Sequence, residues 1–109
     1  MAIVNLEKVL STGKRFASQI RSEIDNNAIV ILFGSYVKNT ATERSDIDIA
    51  VVSETFGNKL TENFSENFAR LTLIAYGINT EIEPHPFTLE SWNDITPFIS
   101  EIRKTGVVL

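Results

Sequence analysis

Two short apolar runs limit what this chain can fold into. AIVILF at 28–33 is an unbroken run of mostly β-branched and aliphatic residues of strand length. With apolar side chains on both faces, it reads as a buried central strand. DIDIAVV at 46–52 is a second such run, opened by two acids. Two buried strands need helices to cover them. The apolar residues Leu6, Val9, Leu10, Ala17, Ile20 and Ile24 recur at helical spacing and predict a helix over 5–25. From Thr61, Phe64, Phe68, Leu71 and Ala75 predict a second amphipathic helix that stops at Gly77.

The rest of the chain fills in around these elements. NTEIEPHPF (79–87) reads as a third strand whose later half is edge-like or free, because Pro84 and Pro86 cannot donate to a ladder. Residues 36–45 have room for a short helix and a loop. TLESWNDITPFISEIRKTG gives one or two short helices broken at Pro97, and VVL a last short strand. This order predicts an α/β (α+β) fold, a small mixed β-sheet flanked by helices. With 109 residues, the chain reads as a single domain over 1–109.

Composition excludes several function classes. There is no Cys and one His, which leaves no thiolate chemistry and no multi-His metal centre. The net charge of −4 argues against direct DNA binding, which rests on Lys and Arg at phosphates. No apolar run approaches the ~20 residues of a membrane span. MAIVNLEKVL has no basic region or cleavage site of a signal peptide, so a cytoplasmic location is expected.

The chemistry concentrates in 33–52. Strand residues alternate faces, so Asp46 and Asp48 share one, with Cα atoms ~6.5–7 Å apart. Two carboxylates so placed can converge on a hard cation such as Mg²⁺, which also takes phosphate oxygens. Gly34 and Ser35 end the preceding strand. Glycine lets backbone approach a ligand closely, and a helix beginning there would offer free N–H groups to an anion. Either feature alone is commonly a plain turn or a solvated acid. Together they describe a nucleotide triphosphate site.

Gly34-Ser35, nine intervening residues and Ser45-Asp46-Ile47-Asp48 resemble the signature of the DNA polymerase β-like nucleotidyltransferase superfamily, in its minimal branch. The resemblance implies the nucleotidyltransferase fold. It implies that Asp46 and Asp48 hold two Mg²⁺ ions and that Gly34, Ser35 and Lys38 meet the triphosphate. A third carboxylate from the next strand is implied as metal ligand and catalytic group; Glu81 and Glu83 both have the parity, and IEPHPF favours Glu83. Asn39 replaces a glycine common in the family, and tolerates the same left-handed backbone. The implied reaction transfers NMP, with ATP the expected donor, to a hydroxyl. The minimal branch further implies a HEPN-type helical partner in a toxin–antitoxin pair. Two rival functions are a binding module that neutralises a partner by contact and a transferase acting on a small molecule such as an antibiotic. The edge-like third strand leaves room for a homo-oligomer.

Other residues read more plainly. His85 shares the parity of Glu81 and Glu83, where it can orient a carboxylate, but between two prolines it reads as a half-exposed edge residue. Trp92 reads as core packing.

Overall fold

The computed structural model describes residues 6–57 and 62–109, and for 62–65 the backbone alone. Thr61, where the second helix is expected to start, lies outside the described residues, as do 58–60 of the preceding loop and the first five residues. In chain order come α1 (Leu6–Glu23), β1 (Ile29–Phe33), β2 (Ile47–Val52), a 3-10 turn (Glu54–Phe56), α2 (Glu62–Ile78), β3 (Ile82–Phe87), α3 (Leu89–Trp92), α4 (Pro97–Thr105) and β4 (Val107–Val108). The strands form one mixed sheet in the order β3-β2-β1-β4. The runs expected to be buried are its two central strands. β1 pairs antiparallel with β2 and β4, while β2 pairs parallel with β3.

Period-two alternation divides the central strands between two layers. Val30, Leu32, Ile47, Ile49 and Val51 are essentially inaccessible and pack under α1 and α2 with Phe16, Ile20, Leu71 and Ala75. Phe68, expected in that stripe, is instead substantially exposed, and the side chain of Phe64 lies outside the described residues. On the opposite face, Ile31, Phe33, Ala50 and Val52 meet Trp92, Ile99 and Ile102 from α3 and α4. Trp92 is thus a core residue, and the Arg103 guanidinium lies 4.6 Å from its ring centroid.

The prolines find local solutions. Ile47 N–H donates to the Glu81 carbonyl and Ser53 N–H to the Phe87 carbonyl at the two ends of the β2–β3 ladder. By alternation, the odd residues of β3 face β2, and the missing N–H groups of Pro84 and Pro86 fall on the open edge. β3 is the edge strand, as the prolines predict, and the whole of Ile82–Phe87 stays paired with β2, so its later half is edge-like and not free. The two short helices expected at the C-terminal end are α3 and α4, and Pro97 marks the boundary between them. It opens α4 at the first turn, where no N–H is needed, and Thr96 Oγ1 caps that helix by accepting from Ile99 N–H at 3.1 Å.

The short helix expected within 36–45 is absent. Val37 and Lys38 N–H both donate to the Gly34 carbonyl at 3.1 Å, which makes a tight turn, and Asn39 then adopts φ 60°. That left-handed residue ends any helical course, and is the conformation expected of it in place of glycine. Thr42 and Ser45 then hold the loop with local bonds: Thr42 N–H donates to Ser45 Oγ and Ser45 N–H to the Thr42 carbonyl.

Candidate active site

α4 covers the second sheet face only in part. Beyond Ala50 the same face of β2 presents Asp48, and the parallel register sets Asp48 opposite Glu83 and Ala50 opposite His85. One donor atom from each of Asp48, Glu83 and His85 lies within 4.8 Å of the others. His85 Nε2 is 3.1 Å from Asp48 Oδ1. A carboxylate oxygen only accepts, so Nε2 carries the hydrogen in this arrangement. The ring of His85 meets the Phe33 ring edge-on at 5.0 Å between centroids, with Phe98 at 6.3 Å.

Asp46 stands just before β2 and is exposed. Its negative charge bears on the Glu83 carboxyl together with that of Asp48, so three carboxylates crowd one corner. The Glu83 carboxyl is held above the usual glutamate range. Loss of solvation there is the largest cause; Asp48 and Asp46 add to it, while His85 pulls the other way. A corner with excess negative charge, oxygen donors and one imidazole fits a divalent cation. Glu81 sits one residue before β3, and neither it nor Asp46 belongs to the trio of Asp48, Glu83 and His85. Burial pushes the Tyr36 hydroxyl above the usual tyrosine range, and the negative charges of Glu81 and Asp46 push it further. Tyr36 itself packs into the core under α1 and α2.

Gly34 closes the other side of the corner. Its φ is +85°, a region that side chains avoid, and a Cβ there would lie 2.4 Å from Asp48 Oδ2. Only glycine lets β1 turn away directly above the carboxylate. Ser35 follows, half-buried, at the start of the turn. Lys38 is not aimed into the acid corner. Its ammonium pairs with Glu101 of α4 at 2.6 Å, which holds the Glu101 carboxyl below the usual range. Both side chains are about half exposed, so solvent weakens that pair.

Two hollows adjoin the acids. A cleft of about 460 Å³ runs along the β3 edge to α2 and is lined by Asp46, Glu83, Phe68, Thr72 and Tyr76 among others. A smaller one of about 180 Å³ lies between the Gly34 turn and α4, walled by Phe33, Phe98, Lys38 and Glu101. His85 is both a partly exposed residue of the edge strand and a partner to a carboxylate, as its sequence position offered. The available signal was its parity with Glu83; its closeness to Asp48 depends on the β2–β3 register, which no local pattern reveals.

Comparison with known proteins places this geometry in a wider set. The sequence profile of the nucleotidyltransferase domain matches residues 14–104. A Methanocaldococcus jannaschii protein provisionally named a protein adenylyltransferase is 30% identical over 76 residues, which cover 65% of this chain and 52% of the relative. The chain thus matches about half of that relative's length. A solved structure described as a minimal nucleotidyltransferase superposes with a TM-score of 0.63 at 22% identity, over 100% of both chains. At that identity the likeness shows the shared fold.

Proposed function

The chain belongs to the nucleotidyltransferase domain family, and we propose that it transfers AMP from ATP to a hydroxyl on a protein, using Mg²⁺. The observation that carries this reading is the parallel register that faces Asp48 with Glu83 beneath the Gly34 turn. The name of the archaeal relative supports a protein acceptor.

Asp46, Asp48 and Glu83 would hold two Mg²⁺ ions. Bound there, the cations neutralise charge on the triphosphate and make the attacking hydroxyl more acidic. Gly34 and Ser35 would cradle the β- and γ-phosphates, with Lys38 turning from Glu101 to meet them. The acceptor would enter along the cleft beside β3, where Glu83 faces it. The acceptor oxygen bonds to the α-phosphorus in line, and the bond from that phosphorus to the bridging oxygen breaks. Pyrophosphate leaves with the electron pair, and Glu83 takes the hydroxyl proton and passes it to solvent. The residues chiefly position the groups and supply charge.

The partner we propose is a HEPN-type helical protein, silenced by the modification as a toxin is by its antitoxin. The test is label transfer from α-labelled ATP with Mg²⁺ and such a partner. Label on the partner with the native chain, and none with Asp46→Asn/Asp48→Asn, is the expected result. Absence of transfer with all four nucleotides, or neutralisation of the partner that survives the double substitution, would favour a non-catalytic binding module instead.

A further inference from the structure

We propose that His85 is a nitrogen ligand of the cation at Asp48 and Glu83, and that it biases the site toward Mn²⁺ over Mg²⁺. This rests on the cation reading above, and adds to the carboxylate ligands a residue of different chemistry.

Distance is the first argument. His85 Nε2 and Asp48 Oδ1 are 3.1 Å apart, and both belong to a trio with Glu83 whose donor atoms lie within 4.8 Å of one another. Adjacent ligands of an octahedral ion with bonds of about 2.1 Å are about 3.0 Å apart. The hydrogen-bonded pair already stands at the spacing of two neighbouring ligands. A cation beside the line that joins them could bond both atoms at that spacing. As a ligand, His85 needs only the tautomer that carries its hydrogen at Nδ1 and leaves the Nε2 lone pair free.

Preorganisation is the second. His85 stands between Pro84 and Pro86, whose fixed φ angles stiffen the strand on either side. Phe33 packs edge-on against the ring and Phe98 tilts beside it, so aromatic contacts set the imidazole plane. The His85 side chain is 28% exposed and that of Asp48 23%, which leaves the pair reachable from solvent yet shielded on its aromatic side.

Chemistry is the third. Mg²⁺ prefers an all-oxygen shell; imidazole suits the later first-row metals best, and Mn²⁺, which also favours carboxylates, opens that series and takes nitrogen more readily than Mg²⁺. Two carboxylates and one imidazole form a set that Mn²⁺ uses more fully.

The experiment is pulsed electron paramagnetic resonance on tag-free protein loaded with Mn²⁺ alone. The chain has one histidine, so imidazole ¹⁴N coupling to the ion can arise only from His85. The expected spectrum shows that coupling in the native chain and loses it in His85→Gln. His85→Gln is also expected to weaken Mn²⁺ binding about tenfold, with a smaller loss for Mg²⁺. Bound Mn²⁺ without imidazole coupling in the native chain would overturn this proposal and leave the carboxylate reading standing. No Mn²⁺ binding at all would overturn both. The native spectrum decides the question even if His85→Gln folds poorly.

Discussion

The two ends of β2 each carry a polar cluster, and they are built on opposite principles. At the far end, Ser53 is buried and its Oγ donates to Asp25 Oδ2 at 2.6 Å while accepting from Thr55 N–H. Thr55 Oγ1 lies 2.7 Å from the same hydroxyl, and Asp25 Oδ1 accepts from Asn27 N–H. There donors and acceptors match, and the cluster is closed. At the near end, Asp46, Asp48 and Glu83 bring three carboxylates together, with His85 as the donor to Asp48. Acceptors exceed donors, and the corner has charge left to neutralise. A closed polar cluster holds a strand end in place. An open one of a single sign is prepared for something positive.

Asp48→Asn gives the largest expected effect. Transfer activity should fall about a thousandfold or more, while the thermal midpoint holds or rises because like charges are relieved. A large loss of stability instead would mean that the open corner is structural after all.

Gly34→Ala should damage both properties. The added Cβ would meet Asp48 Oδ2 in a backbone region that alanine avoids, at a cost of about 1–3 kcal/mol. Activity should drop with it, because Asp48 must move. Denaturant unfolding and transfer assays on the same preparation check the pair of outcomes.

Ser53→Ala probes the closed end. It should lower stability by about 1–3 kcal/mol by leaving Asp25 and Thr55 short of a partner, with activity per folded molecule unchanged. Denaturant melts read the first and active-site titration the second. A loss of specific activity would break the contrast between the two ends.

Much of the open end was legible in the sequence because it is local, whereas the closed cluster of Ser53, Asp25 and Thr55 was not. Alternation put Asp46 and Asp48 on one face and Ile47 and Ile49 on the other. Gly34 at the end of an apolar strand marked the turn, and Asn39 its left-handed close. What was not legible is long-range. Glu83 and His85 reach Asp48 through strand pairing across α2, and Lys38 finds Glu101 through the docking of α4. The missing helix at 36–45 has a nearer cause, since two N–H groups turn back onto the Gly34 carbonyl and Asn39 closes the turn. Phe68 fitted the helical stripe by spacing yet lies at the margin of the covered face, where it lines the cleft. Among the described residues, no helix is long and apolar enough to cross a membrane.

The smallest expected effect is one of pH. Glu83 binds its proton more tightly folded than unfolded. Its contribution to stability is therefore full below the ordinary glutamate range and is lost as pH rises through its raised folded value. Without cation, the native chain should lose slightly more stability across that window than Glu83→Gln. With Mg²⁺ or Mn²⁺ the slope should reverse, because protons compete with the metal. Thermal melts across the acidic range, with and without cation, give both signs.

The central claim, that the open end of β2 is a cation-dependent nucleotide site, is tested most directly by calorimetric titration with a non-hydrolysable ATP analogue. Binding to the native chain is expected with Mg²⁺, lost on chelation and lost in Asp46→Asn/Asp48→Asn. Binding of equal strength with and without the two aspartates, or none to the native chain with either Mg²⁺ or Mn²⁺ present, would contradict it.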